Sequence, residues 1–186
     1  SNMTVDWISE KLVDRGVSVL RIGNPSRVND KMLSFTYERR FESHPDYTQL
    51  WGIRKAIRDL YAQMRKQRSD REAVRTKINS LKDRANELEI RINADLFSEA
   101  RVIACTLVSS ANRLLMGQKF GTVFIDEAAQ ALEPACWIAI RKADRVILAG
   151  DHCQLPPTVK CPQSVRGGLG HTLMQSIVKN KPETVS

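Results

Sequence analysis

The sequence lacks the features that would tie a chain together covalently or hold it in a membrane. None of its four cysteines forms a C-x-x-C pair, which excludes the usual zinc-ribbon and dithiol motifs. No apolar run approaches the roughly 20 residues that a transmembrane helix needs, and no signal peptide precedes the cysteines. We therefore expect reduced thiols in an intracellular protein, cytoplasmic or (in a eukaryote) nuclear, with no membrane partner. The cysteines are Cys105, Cys136, Cys153 and Cys161.

A metal centre built on these cysteines is not expected either. His152, Cys153 and Cys161 lie close in sequence, but a fourth ligand and a second ligand pair are missing. Ordinary reduced side chains are the simpler interpretation.

The composition is that of a globular protein with an excess of positive charge. Of the 186 residues, 42% are hydrophobic and 27% are charged, and the formal net charge is +8 with a pI of about 9.6. Such a balance suits a polyanionic partner, either nucleic acid or a membrane surface, without proving one.

Both ends of the sequence predict alternating helices and strands. Residues 4–15 have apolar positions at helical spacing, and residues 17–22 read as a short strand, whereas 26–45 give no clear signal. Further along, three apolar runs predict buried strands, and two segments between or after them predict helices. The strands are 101–106, 122–125 and 146–148, and the helices are 133–142 and 169–179. This alternation predicts an α/β fold with a parallel sheet and right-handed crossovers, to which residues 1–40 and 98–186 contribute.

The middle of the chain, residues 41–97, predicts a long helical insertion. Two apolar stripes at heptad-like spacing run from Leu50 to Met64 and from Val74 to Ile92. Gln67 and Arg71 interrupt the stripe, and Ser69 with Glu72 forms a candidate capping box. We expect an antiparallel hairpin of helices at 46–66 and 70–97. One continuous rod remains an alternative because the heptad register passes through the break unshifted, and the hairpin could also swap between two chains.

Two strand ends carry the residue types of phosphate chemistry. Asp126 and Glu127 follow one apolar strand, and Gly150, Asp151 and Gln154 follow the next. Ligands gather at the carboxyl ends of parallel strands, where a carboxylate can hold Mg²⁺ and a second can act on water. Acidic residues are also favoured at the start of an ordinary helix, so the pair alone would not indicate a site. Two strand ends with such residues in succession are unlikely to arise by chance.

These segments resemble a known family. Residues 126–134 (DEAAQALEP) and 150–157 (GDHCQLPP) are similar to motifs II and III of superfamily 1 helicases, of the up-frameshift and immunoglobulin-mu-binding-protein type. Residues 1–6 (SNMTVD) resemble the end of motif Ia, and 105–110 (CTLVSS) resemble motif Ic. The resemblance implies part of the first of two RecA-like domains, with ATP and Mg²⁺ as cofactors and single-stranded DNA or RNA as partner.

The resemblance also implies a role for individual residues. Asp126 would coordinate Mg²⁺, Glu127 would activate water, and Gln154, with Asp151 beside it, would sense the γ-phosphate. Residues near the nucleic-acid backbone would be Asn2, Thr106, Ser109 and Ser110.

The sequence contains no phosphate-binding loop. The pattern G-x-x-x-x-G-K-[ST] does not occur, and the glycine-rich stretch at 167–170 lacks the Lys-Ser/Thr that should follow. The arginine-bearing motifs of a second RecA-like domain are missing too. We therefore expect a fragment of a helicase that is inactive alone and needs the remainder of the protein.

The helical insertion suggests an alternative function. Residues 54–91 contain twelve basic and six acidic residues, so they supply +6 of the net charge. Such a face could contact phosphates, notably through Arg65, Lys66 and Arg68, or could simply be solvated. A noncatalytic nucleic-acid-binding or scaffold protein using this face is the alternative to a helicase fragment. We expect Trp7, Trp51 and Trp137 in the core, because each lies on an apolar helical face.

Overall fold

The computed structural model describes residues 1–66, 70–155 and 157–185. The chain divides into two compact units, Ser1–Cys105 and Thr106–Ser186, which are described separately below. Each unit contains one two-stranded parallel sheet together with helices. The predicted mixture of helices and parallel strands is thus confirmed, and the single sheet expected from both ends of the chain stays a prediction.

The first unit opens with a helix and a short strand. Helix α1, Asn2–Asp14, starts two residues earlier than predicted because the hydroxyl of Ser1 accepts a hydrogen bond from the Thr4 amide. Strand β1, Val19–Arg21, pairs in parallel with β2, Val102–Ala104. Both strands are shorter than predicted. Their pairing joins the two stretches of sequence that flank the central helices.

The segment without a clear sequence signal consists of short helical turns. Two 3₁₀ turns, Pro25–Arg27 and Asp30–Phe35, precede the six-residue helix α2, Tyr37–Glu42. The side chains of Asn24, Asn29 and Thr36 cap these turns by accepting hydrogen bonds from backbone amides. Turns this short are specified by such polar caps rather than by apolar periodicity, which explains the weak sequence signal.

Two long helices fill the middle of the first unit. Helix α3, Tyr47–Lys66, packs against helix α4, Arg71–Glu99. The predicted seam residues are buried or half-buried. Four of them form one apolar cluster with Leu96 of α4 and Leu20 of β1: Leu50, Ala85, Leu88 and Ile92. Gln67 and Ser69, on which the break and the capping box were predicted, lie outside the described residues. In the structure the residue before α4 is Asp70, which has a left-handed backbone (φ 60°).

The second unit is built around two longer strands. Strand β3, Phe120–Ile125, pairs in parallel with β4, Ala143–Leu148, and helix α5, Glu133–Ile140, connects them. Short 3₁₀ turns lie at Val108–Ala111 and Arg113–Leu115 before β3, and at Ala128–Gln130 after it. The core of this unit includes Ile125, Ala128, Cys136, Ala139 and Leu173. The prediction that both strands are buried is wrong: apart from Ile125 they are half-buried or exposed, and Phe124 is 73% exposed because nothing in the described chain covers it.

The last predicted helix begins later than expected. Helix α7, Leu173–Asn180, starts at a capping box in which the hydroxyl of Thr172 accepts from the Gln175 amide. Before it come the three-residue helix α6, Pro162–Ser164, and a π-helical turn, Val165–Leu169. The chain cannot continue as one helix because Gly168 has φ 102°. A final 3₁₀ turn spans Pro182–Thr184.

The prediction that the tryptophans lie in the core is wrong. Trp7, Trp51 and Trp137 are 61%, 49% and 46% exposed, respectively. A position next to an apolar residue in sequence does not lie on the same side of a helix: Trp51 follows buried Leu50 but is rotated about 100° from it around the axis. Within the described part of the chain, no helix combines the length and apolarity needed to cross a membrane.

Candidate functional site

The two predicted strand ends of the second unit are hydrogen-bonded to each other. The parallel register pairs Ile125 with Leu148, so both strands end at the same edge of the sheet. Beyond the sheet, the Ala149 amide donates to the Ile125 carbonyl at 2.9 Å, and the Ala128 amide donates to the Ala149 carbonyl at 2.9 Å. The loop after β3 is therefore tied to the loop after β4.

The acidic pair stands on a tight turn at this edge. Glu127 has a left-handed backbone, φ 55° and ψ 35°, a conformation that costs a non-glycine residue about 1–3 kcal/mol. Among the described residues it shares this feature only with Asp70. The turn buries Ala128 and Ala129 and leaves Asp126 and Glu127 exposed. Buried neighbours thus hold a strained turn that presents two carboxylates.

Gly150 allows the second loop to approach the first. Its φ is +150°, and a Cβ at this position would lie 3.1 Å from the Ala128 nitrogen and 3.3 Å from the Ala129 nitrogen. A larger residue would push the two loops apart. The glycine that the sequence placed at the second strand end is therefore required by backbone contact as well as by its positive φ.

The polar residues after Gly150 make contacts of two kinds. The side-chain amide of Gln154 accepts a hydrogen bond from Gln130 Nε2 at 3.4 Å, so it faces the turn after β3. Asp151 instead accepts from the Cys153 amide at 2.9 Å through Oδ1, and its carbonyl accepts from the Gln154 amide at 3.1 Å. Asp151 therefore shapes its own loop. Gln130 was not among the predicted site residues, although it stands in the same DEAAQ segment.

Oxygen donors dominate the edge formed by these loops. The exposed carboxylates of Asp126, Glu127 and Asp151 are ligands of the kind that Mg²⁺ prefers, with coordinated waters completing its shell. These carboxylates are therefore the residues at this edge that could hold Mg²⁺.

The hydroxyl residues at the start of the second unit form a compact turn. Thr106 Oγ1 donates to Ser109 Oγ at 3.1 Å and accepts from the Ser109 amide at 3.2 Å. Ser110 is buried and donates to the Leu107 carbonyl. Thr106 and Ser109 are half-buried, so of the three hydroxyls theirs are the more accessible.

The remaining predicted nucleic-acid residues belong to the first unit. Asn2 Oδ1 accepts a hydrogen bond from Arg21 Nη2 at 2.9 Å. Arg65 and Lys66 are exposed at the end of α3, and Arg68 lies outside the described residues.

None of the four cysteines, all of which the structure describes, forms a disulfide, and their surroundings differ. Burial raises the pKa of the Cys136 thiol, whereas a side-chain hydrogen bond with Ser164 lowers the pKa of exposed Cys161. In the described part of the chain, the potential metal ligands that lie within 4.8 Å of one another are those of Asp151, His152 and Cys153, and Cys161 is not among them. These are three consecutive exposed residues, which is not the arrangement of a structural metal centre.

Comparison with known proteins gives matches over nearly the whole chain. A family model described as an AAA domain matches residues 1–162. The DNA polymerase alpha-associated DNA helicase A of Schizosaccharomyces pombe is 33% identical over 187 residues, covering 100% of this chain and 28% of that protein.

Two further relatives match with similar identity. The DNA-binding protein SMUBP-2 of Mesocricetus auratus is 31% identical over 185 residues, covering 96% of this chain and 19% of its own length. The Regulator of nonsense transcripts 1 homolog of Arabidopsis thaliana is 34% identical over 183 residues, covering 96% of this chain and 14% of its own. The chain thus spans less than a third of the length of these three proteins.

Proposed function

Because this chain belongs to the AAA domain family, we propose that it is part of an ATP-dependent helicase or translocase that moves on single-stranded DNA or RNA. The motif-based resemblance to superfamily 1 helicases of the up-frameshift and immunoglobulin-mu-binding-protein type is confirmed by the same matches. The observation that carries the proposal is the pair of strand ends in the second unit, joined by two backbone hydrogen bonds.

In this proposal the α/β segments are a partial RecA-like sheet and residues 41–97 are an antiparallel helical hairpin inserted into it. Three contacts support the antiparallel direction. Asp46 pairs with Arg91 at 2.7 Å, Arg54 pairs with Glu89 at 2.6 Å, and the Lys82 ammonium lies 5.3 Å from the Tyr61 ring centroid. The start of α3 is thus beside the end of α4, and later positions of α3 meet earlier positions of α4.

Asp126 is proposed to hold Mg²⁺ and Glu127 to act as the general base. Bound Mg²⁺ would neutralise charge on the β- and γ-phosphates as the phosphoryl group transfers. Asp126, the first residue after β3, offers its exposed carboxylate as a ligand. Glu127, one position on, would orient the attacking water and accept its proton. The strained turn at Glu127 supports a functional role for this residue, because strained backbone is found most often at active and ligand-binding sites.

Gln154 is proposed to sense the γ-phosphate and couple hydrolysis to movement. Its hydrogen bond with Gln130 supports this role, because a phosphate that binds Gln154 would also change the contacts of Gln130 on the loop after β3. Asp151 has a supporting part, since its bond to the Cys153 amide fixes the loop that carries Gln154.

Nucleic-acid backbone contacts are proposed for hydroxyl, amide and basic side chains. Thr106 and Ser109 supply half-buried hydroxyls, and Ser110, which is buried, would contribute through its backbone or by holding the turn. Arg65 and Lys66 on α3, with Arg68, would contact phosphates. The side-chain amide nitrogen of Asn2 could donate to a phosphate, because Arg21 contacts only the side-chain oxygen.

Two experiments test this function. In the full-length protein containing this chain, Gln154→Ala should retain ATP binding but uncouple ATP turnover from strand displacement. Gln163→Ala, an exposed glutamine on α6, is the matched control and should change neither rate. Equal coupling in the wild type and Gln154→Ala would contradict the sensing role.

The 186-residue chain alone should be inactive, because it contains no G-x-x-x-x-G-K-[ST] loop to cradle phosphates. Isothermal titration with Mg²⁺-ATP should show little or no heat of binding, and micromolar affinity would contradict this expectation. The alternative function is a noncatalytic nucleic-acid-binding or scaffold protein using the basic helices. It would be favoured if the full-length protein bound nucleic acid but had no stimulated ATP turnover.

A further inference from the structure

The outer face of α3 combines an exposed aromatic ring with a row of cations. Trp51, Lys55, Arg58 and Arg65 follow one another at spacings of four, three and seven residues, and all four are exposed. At 3.6 residues per turn they fall within about 80° of one another around the helix axis, on the side opposite the seam that contains buried Leu50. We call these four residues the outer α3 stripe.

The cations of the outer α3 stripe are not neutralised by the fold. Helix α3 has five basic residues and one acidic residue, Asp59. Arg54, which is not in the stripe, pairs with Glu89 of α4 at 2.6 Å. In the described part of the chain, no carboxylate lies within ion-pair distance of Lys55, Arg58 or Arg65. The stripe therefore presents three positive charges along about 15 Å of helix, and about 21 Å including Trp51.

The ring of Trp51 is available at one end of this row. It is 49% exposed, and the Lys55 ammonium lies 5.7 Å from its centroid. Trp137 on α5 gives an internal contrast, since it is 46% exposed but its Nε1 donates to the Glu133 carboxylate at 3.1 Å. Two tryptophans of equal exposure thus stand in surroundings of opposite charge.

We propose that the outer α3 stripe binds single-stranded nucleic acid, with Trp51 stacking on a base and Lys55, Arg58 and Arg65 contacting the adjacent phosphates. Base stacking on an aromatic ring beside a positively charged track is how proteins hold single strands without reading sequence. An anionic membrane is the less suitable partner, because Trp51 is the sole large apolar side chain of the stripe. The inference deepens the proposed function and rests on nucleic-acid binding by the basic helices.

The test uses the 186-residue chain and its tryptophan fluorescence. Replacing Trp7 and Trp137 by Phe leaves Trp51 as the one tryptophan, since the chain has three. Titration with a short oligothymidylate at low salt should quench this emission. By fluorescence anisotropy of a labelled oligomer, Trp51→Ala should weaken binding by about 5- to 140-fold, the range measured for loss of one stacked base. Trp51→Phe should recover most of the affinity.

Matched controls separate stacking from general charge. Trp137→Ala removes an equally exposed ring and should leave the affinity within about twofold, the span expected for a surface change outside the site. An oligomer of abasic sugars keeps the phosphates, so Trp51→Ala should have no effect on its binding. Arg58→Gln should reduce the slope of log affinity against log salt by about 0.7, the contribution of one phosphate contact on a single strand.

The outcomes that would overturn the proposal are distinct from those that would overturn the proposed function. Equal losses for Trp51→Ala and Trp137→Ala, or equal affinity for normal and abasic oligomers, would remove the stacking site. A loss for Arg65→Gln in the same experiment would still leave phosphate binding by the basic helices in place. No binding of any oligomer would contradict both. Binding of phosphatidylserine vesicles without oligomer binding would assign the stripe to a membrane surface and overturn the proposal.

Discussion

The surroundings of Arg21 in the first unit and of Asp126 in the second use charge in opposite ways. The Arg21 guanidinium is completely buried, and its side chain donates to Asp6 at 2.8 Å, to the Ile22 carbonyl at 2.7 Å and to Asn2 at 2.9 Å. Asp126 and Glu127 are exposed on a strained turn. The first cluster holds α1 against β1 through buried hydrogen bonds, whereas the second places two carboxylates at the protein surface.

The contrast separates buried charge that stabilises the fold from exposed charge at a strand end. A buried ion pair whose donors and acceptors are all satisfied is strongly destabilised when one partner is removed, because the other stays buried and uncompensated. Exposed carboxylates remain solvated, so changing them has little effect on folding. Substitutions in these two regions should therefore lower the free energy of unfolding by different amounts.

The largest loss is expected from Arg21→Met. It leaves the Asp6 carboxylate buried with one remaining donor, the Asn29 amide at 3.0 Å. Urea unfolding followed by circular dichroism should show the free energy of unfolding of the first unit lowered by about 3–5 kcal/mol. The matched control is Arg84→Met, because Arg84 pairs with Glu87 at the surface of α4, and its loss should stay within about 1 kcal/mol. Equal losses for the two variants would mean that burial of the Arg21–Asp6 pair does not determine its contribution to stability.

An intermediate loss is expected from Gly150→Ala. The added Cβ would meet the Ala128 and Ala129 nitrogens on a backbone with positive φ, so the two loops must separate. We expect the second unit to lose about 1–3 kcal/mol. Gly121→Ala on β3 is the control, since a Cβ there meets nothing within 4 Å, and its stability should be unchanged or raised by up to about 1 kcal/mol. A tolerated Gly150→Ala would show that the loops are not closely joined.

The smallest loss is expected from Asp126→Asn. The side chain is exposed and isosteric with its replacement, so the free energy of unfolding should change by less than about 0.5 kcal/mol. Thermal unfolding of the same purified chain provides the measurement. A loss as large as that of Arg21→Met would make Asp126 a structural residue and contradict the division between the two regions.

The sequence predicted the elements whose signal is local. Apolar periodicity located the seam of α3 and α4, because residues such as Leu50 and Leu88 recur at helical spacing. The strands β3 and β4 and the glycine at 150 followed from apolar runs with polar ends. These features depend on neighbours a few residues away, which a single sequence displays.

Contacts between distant residues were not predictable in this way. The pairing of Arg21 with Asp6 joins a strand to a helix 15 residues away, and nothing in either segment marks its partner. The exposure of Trp51 is a different case, because its position about 140° from the middle of the α3 seam is consistent with helical spacing and the prediction of burial overlooked it. The left-handed backbone at Glu127 has no marker in the sequence, because a glutamate carries no preference for positive φ.

The most direct measurement of the central claim is ATP turnover by the full-length protein carrying Glu127→Gln. Asp144→Asn is the control, because Asp144 is an exposed carboxylate near the opposite end of β4. If the strand ends are the catalytic edge, nucleic-acid-stimulated turnover falls at least about 100-fold in Glu127→Gln, as expected for loss of a general base. ATP binding and the Asp144→Asn rate stay at the wild-type level. Wild-type turnover in Glu127→Gln would contradict the claim.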